Sequence, residues 1–124
     1  MQTAAVDYVG GDDGLLMAPT IAISRMLERA QLKLQDFDFY EIHEAFASQV
    51  LATLAAWEKN GLGTIDRAKL NVNGSSLAAG HPFAATGGRI VATLAKLLNE
   101  NGGGRGLISI CAAGGQGVVA VMER

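Results

Sequence analysis

Two nearly continuous apolar runs near the end of the chain constrain its fold more than any other feature. Leu107–Cys111 and Val118–Met122 are separated by six residues, Ala112–Gly117, of which three are glycine. Apolar runs without polar alternation are typical of strands that are buried on both faces. Glycine permits the tight turn that joins two such strands. The pattern therefore predicts a β-hairpin that other elements cover on both sides.

Three segments supply helices that can cover this hairpin, because their apolar residues recur at intervals of three and four. They are predicted at Pro19 to about Ala30, from Ala45 to a stop at Asn60-Gly61, and at Ala85–Asn101. The last of these is apolar on more than one face, so one sheet cannot bury all of it. We expect that helix to pack against a second partner.

The remaining segments predict two short strands and one ordered loop. The strands are expected at Gln2–Val9 and Phe37–Ile42, and residues 71–84 have no apolar periodicity. The order is then strand, helix, strand, helix, loop, helix, strand, strand. This order indicates one α/β domain with a mixed sheet between helices. A length of 124 residues with 49% hydrophobic content suits a single core.

Charge and cysteine content exclude several classes of function. Ten basic and twelve acidic residues give a formal charge of -2 and are scattered along the chain, so we expect neither nucleic-acid binding nor an anionic-membrane surface. No window approaches the roughly 20 apolar residues of a membrane span. The single cysteine cannot form an internal disulfide. These features predict a cytoplasmic protein.

Common cofactor and metal motifs are also absent from the sequence. Residues Gly10–Gly14 follow a predicted strand but lack the G-x-G-x-x-G spacing, and their two aspartates would repel a pyrophosphate. His43-Glu44 does not continue as H-E-x-x-H, because Ala47 occupies the position of the second histidine. The sequence therefore predicts neither a dinucleotide site nor a zinc site.

Three polar positions remain as candidate catalytic residues, and each has a structural alternative. His43-Glu44 suits a helix N-terminus, where Glu44 favours the positive end of the dipole. His81 suits a hydrogen-bonded structural histidine in its loop, and Cys111 suits a small core residue at the end of a strand. Each alternative stands while its residue is considered alone.

The positions of the three residues together favour chemistry. His43, His81 and Cys111 all fall where a regular element meets a loop, which is the usual place for sites in α/β sheets, so the three residues can converge at one end of the sheet. A cysteine beside a histidine can exchange a proton near neutral pH. The glycine-rich turn after the cysteine can direct backbone N–H groups at a developing oxyanion. This combination indicates acyl transfer.

Three sequence blocks resemble the C-terminal signatures of thiolases, in the order found in that family. They are His43-Glu44-Ala45-Phe46, Asn71-Val72-Asn73-Gly74 with Gly80-His81-Pro82 and Ala85-Thr86-Gly87, and Cys111-Ala112-Ala113-Gly114-Gly115-Gln116-Gly117. The Pro82 and Ala85-Thr86-Gly87 positions favour thiolase over the related ketoacyl synthases. The resemblance implies a thiolase-like α/β C-terminal domain over residues 1–124, with helices on both faces of a mixed five-stranded sheet in the order βαβαβαββ.

The resemblance also implies a reaction and a role for each candidate residue. In thiolases a nucleophilic cysteine attacks a 3-ketoacyl-CoA, acetyl-CoA leaves, and a second CoA collects the acyl group. By this resemblance His81 activates the nucleophile, and Cys111 acts as acid and then base, for which we expect the pKa of its thiol to be shifted toward neutrality. His43 replaces the more common asparagine that holds a water in one oxyanion hole. Phe46 is expected to contact substrate, and Ala113 to offer its backbone N–H to the other hole if its φ is negative.

The nucleophilic cysteine belongs to the first half of thiolases and is not found in this sequence. The resemblance therefore implies an N-terminal half, on the same or a separate chain, as partner, and the chain alone is expected to be inactive. A homo-oligomer is expected, with acyl-CoA and CoA as substrates and no tightly bound cofactor. The His43 form favours fatty-acid β-oxidation. The alternatives are an acetoacetyl-CoA-forming biosynthetic thiolase and a non-catalytic binding or scaffold domain.

Overall fold

The computed structural model describes residues 2–7 and 14–124, and its main elements follow the predicted order. The strands are β1 (Gln2–Asp7), β2 (Phe39–Ile42), β3 (Arg105–Ala112) and β4 (Gln116–Glu123). The helices are α1 (Ala18–Ala30), α2 (Ala47–Lys59), α3 (Ser76–Ala79) and α4 (Thr86–Glu100). The last two residues of the predicted first strand, and residues 10–13 of the glycine-rich loop after it, lie outside the described residues.

The sheet is mixed, as expected, but it has four strands among the described residues and not five. Their order is β1-β4-β3-β2, with β2 parallel to β3 and the other pairs antiparallel. A fifth strand between α2 and α4 is reduced to one parallel bridge between Tyr40 and Leu70. Pairing stops there because the next residue, Asn71, turns into the left-handed conformation with φ of 47°. The expected count of five is therefore corrected to four.

Helices cover both faces of the sheet, which confirms the predicted α/β arrangement. Alternate residues of β3 point to opposite sides. Leu107 joins a core formed with α1 and α2 around the fully buried Trp57, whereas Ile108 joins a second core beneath α4. The contact of α4 with the sheet is close, because a Cβ added at Gly106 would lie 2.7 Å from a methyl carbon of Leu94.

The helix ends agree with the sequence, and α1 ends at Ala30 as predicted. Gly61 and Gly102 follow the ends of α2 and α4 with positive φ, as the predicted stops require. Helix α1 ends without glycine, because Gln31 adopts φ of 55° and its N–H donates to Glu28 O at 3.1 Å. Residues 71–84 contain the short helix α3 inside the predicted loop. In the described part of the chain, no helix is long and apolar enough to cross a membrane.

Candidate active site

The candidate site lies at the edge where the carboxyl ends of β2 and β3 meet, because these two strands run parallel. His43 directly follows β2, and its N–H donates to Ser109 O of β3 at 2.9 Å. Cys111 lies two residues further along β3, opposite Gly117 of β4. The sequence therefore correctly predicted that His43 and Cys111 share one end of the sheet.

Asn71 brings the loop with His81 to this edge by taking the place of a neighbouring strand. Its backbone N–H donates to Tyr40 O at 2.8 Å. Its side-chain Oδ1 accepts from the Ile42 N–H at 2.8 Å, and Nδ2 donates to Ile42 O at 3.0 Å. One amide side chain thus satisfies both backbone groups of Ile42, the residue before His43.

Glu44 holds the same loop from the other side, so the helix-dipole alternative for His43-Glu44 is wrong. Helix α2 begins only at Ala47, and its N-cap residue is Phe46. The Glu44 carboxylate instead accepts from Asn71 Nδ2 at 2.9 Å and from the Leu77 N–H at 3.0 Å. These contacts to residues 27 and 33 positions later fix the loop beside β2.

The two histidines are brought into contact, as their positions in the sequence predicted. Their ring centroids are 4.3 Å apart with an interplanar angle of 43°. His43 is 2% exposed, whereas His81 is exposed and also packs against Phe83 at 5.1 Å between centroids. The His81 ring is therefore open on one side to an incoming molecule.

Thr86 sets which nitrogen of His81 can accept a proton. Its hydroxyl donates to Pro82 O at 3.2 Å, which uses its only hydrogen. The Thr86 oxygen is 2.6 Å from His81 Nδ1, so it accepts the hydrogen of that nitrogen. In the neutral ring Nε2 then carries the lone pair. His81 is thus arranged as a base.

His43 is held as a neutral imidazole. Its Nδ1 lies 2.7 Å from the hydroxyl oxygen of Ser76. Burial lowers the pKa of His43, and the positive charges of His81 and Arg89 lower it further, while Glu44 opposes them. A neutral ring can donate one hydrogen bond without repelling a protonated His81.

Cys111 is at the correct end of the sheet, but within the described residues no hydrogen bond joins it to either imidazole. The residue is 5% exposed, and burial raises the pKa of its thiol. The expectation that this pKa shifts toward neutrality is therefore wrong for the chain alone. A thiol with a raised pKa stays protonated, which is the form that an acid requires.

The two expected substrate-contacting positions are accessible. Phe46 is 61% exposed at the start of α2, and Ala113 is exposed in the turn between β3 and β4. Only Gln31, Asn71 and Ala84 have positive φ among the described residues other than glycine. Ala113 therefore meets the condition set for its backbone N–H, whose role stays a prediction.

Sequence reasoning did not identify two charged residues near the histidines, Glu41 and Arg89. Glu41 on β2 is completely buried and neither carboxylate oxygen has a hydrogen-bond partner. Arg89 on α4 attracts it and also donates to Ser76 Oγ at 3.0 Å. The sequence signal for these two residues is a charged side chain at a position where the rest of the strand or helix is expected to be buried.

Burial raises the pKa of Glu41 to about 7, which predicts a pH-dependent stability. The folded carboxyl keeps its proton above the pKa of 4.5 that applies when it is unfolded. Folding therefore takes up a proton between these values, and stability falls as pH rises through 7. A rise of this size corresponds to about 3 kcal/mol. We expect Glu41→Gln to be close to wild type at pH 5 and more stable by up to that amount at pH 8.

Urea unfolding at the two pH values measures this difference. Glu58→Gln on the exposed surface of α2 is the control, because that side chain is solvated in both states. An equal effect of Glu41→Gln at pH 5 and pH 8 would show that the carboxyl does not titrate with folding.

The described residues contain no group of three or more His, Cys, Asp or Glu side chains placed to hold a metal ion. The supporting contacts of the two histidines go instead to hydroxyl groups. The arrangement supplies a base, a neutral donor and a protonated thiol at one sheet edge, which suits proton transfer.

Comparison with known proteins gives the family. The family described as "Thiolase, C-terminal domain" matches residues 1–124. A 3-ketoacyl-CoA thiolase of Shewanella baltica is 46% identical over 120 residues, which are 88% of this chain and 28% of that protein. A 3-ketoacyl-CoA thiolase of Pseudoalteromonas atlantica is 46% identical over 122 residues, covering 90% of this chain and 28% of that protein.

Solved structures show the same fold. The Bacillus anthracis acetyl-CoA acetyltransferase is similar with a TM-score of 0.83 and 38% identity, over 98% of this chain and 29% of that one. An acetyl-CoA acetyltransferase from Syntrophomonas wolfei is similar with a TM-score of 0.89 and 31% identity, over 98% of this chain and 30% of that one. The chain thus spans less than a third of the length of these relatives. It belongs to the thiolase family and corresponds to the C-terminal domain of that family.

Proposed function

We propose that this chain supplies acid and base groups for acyl transfer between 3-ketoacyl-CoA and CoA, as the C-terminal domain of a working thiolase. The observation that carries the proposal is the His43–His81 pair, with ring centroids 4.3 Å apart. One imidazole is buried and neutral, while the other is exposed with Nδ1 occupied by Thr86. A donor and a base side by side suit a reaction in which a thiol loses a proton and an oxyanion forms.

In the proposed cycle His81 Nε2 takes the proton of a nucleophilic cysteine that lies outside this chain. The thiolate attacks the 3-keto carbon, and the bond between the 2- and 3-carbons then breaks. Its electron pair goes to the acetyl-CoA carbanion, which Cys111 protonates. The Cys111 thiolate next removes the proton of an incoming CoA thiol, which attacks the acyl group and releases the cysteine as a thiolate. That thiolate takes back its proton from His81.

Two further groups stabilise the oxyanions of this cycle. His43 donates an N–H, directly or through a bound water, and the backbone N–H of Ala113 serves the other hole. Phe83 packs against His81, and Phe46 lies at the start of α2, three residues after His43; both present apolar surface, with exposed fractions of 85% and 61%. Such surface suits an acyl chain, which supports 3-ketoacyl-CoA degradation in fatty-acid oxidation over acetoacetyl-CoA synthesis. The single thiol must stay reduced for this role, which favours the cytoplasm.

The isolated chain is expected to show no thiolytic or condensing activity and no acylation of Cys111. Its thiol is 5% exposed and protonated, so it is a poor nucleophile. Mass spectrometry after incubation with acetoacetyl-CoA tests this, with Cys111→Ala as the control for labelling elsewhere. A stable acyl adduct on Cys111 would contradict the proposed acid–base role. A neighbouring coding sequence for a cysteine-bearing N-terminal half would argue against a scaffold function.

Helix α4 is expected to make the chain associate, with itself or with the N-terminal half of a thiolase. Ile90 and Leu94 are buried against the sheet, whereas Val91, Ala92 and Ala95 are exposed. The exposed apolar stripe is smaller than the buried one, but it is a surface that a partner of α4 can cover. Sedimentation at micromolar concentration should show a dimer or larger species. Val91→Asp should weaken association, while Asn99→Asp on the same helix should not; a monomer that ignores an added N-terminal half would exclude an interface.

A further inference from the structure

The hydroxyl groups of Ser75 and Ser76 both receive a hydrogen bond from one arginine. Arg89 Nη2 donates to Ser76 Oγ at 3.0 Å and to Ser75 Oγ at 3.4 Å. A guanidinium group has donors only, so both serine oxygens act as acceptors toward it. Each serine then has one hydrogen left to donate.

The two serine hydrogens go to adjacent residues at the end of β2. Ser75 Oγ donates to Ile42 O at 3.1 Å. Ser76 Oγ lies 2.7 Å from His43 Nδ1, and both groups are buried. A hydroxyl oxygen can accept from two donors, so the bond from Arg89 alone does not set the direction. Among the described residues, however, Ser76 Oγ contacts only Arg89, which is a donor, and the ring nitrogen, so the buried hydroxyl hydrogen has the ring nitrogen as its one acceptor. His43 Nδ1 therefore accepts, and the hydrogen of the neutral ring is on Nε2.

We propose that Ser76 and Arg89 are positioning residues that fix His43 in the tautomer with its proton on Nε2. The tautomer follows from the contacts of this chain; only its use as an oxyanion donor rests on the proposed function. The arrangement gives His43 and His81 opposite roles. Ser76 donates to Nδ1 of His43, whereas Thr86 accepts from Nδ1 of His81, so one Nε2 donates and the other accepts.

The charges around His43 are consistent with a neutral ring. His81 and Arg89 both disfavour its protonation, and Glu44 favours it. Arg89 also acts on Glu41 of β2, where its charge lowers the pKa of the carboxyl against the larger effect of burial. Arg89 therefore acts on His43 in two ways, because it directs the Ser76 hydrogen and opposes the imidazolium form.

Nuclear magnetic resonance of the ¹⁵N-labelled chain measures the tautomer directly, since protonated and unprotonated ring nitrogens resonate far apart. The chain has only two histidines, and a His81→Gln variant assigns them. We expect the Nε2–H form for His43 and the Nδ1–H form for His81 in the wild-type chain at pH 8. Finding His43 as Nδ1–H would overturn the proposal without any variant.

Ser76→Ala should lower the ratio of Nε2–H to Nδ1–H in His43 by about tenfold, which is the size of one buried hydrogen bond. Ser75→Ala is the matched control, because it also contacts Arg89 but donates to Ile42 O, and it should leave the ratio unchanged. Ser76→Thr should retain the wild-type ratio, and Arg89→Gln should lower it. An unchanged ratio in folded Ser76→Ala, or an equal change in Ser75→Ala, would contradict the proposal.

Activity separates this inference from the proposed function. An Nε2–H tautomer that depends on Ser76, in a domain that supports no acyl transfer when joined to a thiolase N-terminal half, would count against the function alone. A working enzyme whose His43 tautomer ignores Ser76 would count against this inference alone.

Discussion

Replacing His81 with alanine is expected to lower thiolysis at least about 100-fold, in a full-length thiolase that carries this domain. The substitution removes the proposed base, whose Nε2 is left free to accept a proton by the 2.6 Å contact of Nδ1 with the Thr86 hydroxyl oxygen. Steady-state thiolysis of acetoacetyl-CoA measures the loss. His81 is exposed, so the variant should unfold at the temperature of the parent.

Cys111→Ala should lower turnover by a similar factor, at a different step. In the proposed cycle, loss of His81 prevents the nucleophile from being activated, whereas loss of Cys111 leaves the acetyl-CoA carbanion without its acid. In the proposed cycle the acyl-enzyme forms only after both steps, so rapid mixing should show slow acylation in both variants. Wild-type rates in both variants would mean that these residues are structural.

Gly117→Ala is expected to destabilise the chain by about 3 kcal/mol, through overpacking against backbone. An added Cβ on Gly117 would approach the carbonyl oxygen of Ala18 to 2.7 Å and the backbone atoms next to it more closely still. Both partners are fixed, because β4 pairs on both sides and Pro19 lies in the first turn of α1. The side chain cannot be accommodated by a rotamer change.

The matched control for this substitution is Gly88→Ala on α4, where nothing lies within 4 Å of an added Cβ. Alanine in a helix is favoured over glycine by up to about 1 kcal/mol, so this variant should be slightly more stable. Urea unfolding compares the two. Similar stability of Gly117→Ala and Gly88→Ala would show that α1 and β4 can move apart to accommodate the added Cβ.

Local pattern predicted the long elements well because one physical requirement dominates each. The apolar runs of β3 and β4 had to be buried on both sides, and α1 and α4 supplied the cover. The sheet has one strand fewer than expected because Asn71 turns away after a single bridge. Such a turn depends on side-chain hydrogen bonds to Ile42, which have no periodic signal.

The sequence predicted which site residues share the sheet edge, but not what holds them. His43 could be placed because it follows a predicted strand, and His81 because its loop leads into a predicted helix. Ser76 and Arg89 reach His43 across 33 and 46 positions of the chain, so their roles appear only once the loop has folded back. The pKa of Cys111 was expected near neutrality, and burial instead raises it. How deeply a thiol is buried depends on all the elements that pack around it, which the local sequence does not show.

The most direct measurement replaces the C-terminal domain of the Shewanella baltica 3-ketoacyl-CoA thiolase with this chain and follows thiolysis of 3-ketoacyl-CoA by the graft. The relative provides the N-terminal part, and the two domains are 46% identical over 120 residues. The proposed function predicts turnover that His81→Ala lowers about 100-fold, with the acyl group on a cysteine of the N-terminal part. A folded graft with no more thiolysis than its own His81→Ala variant would contradict it.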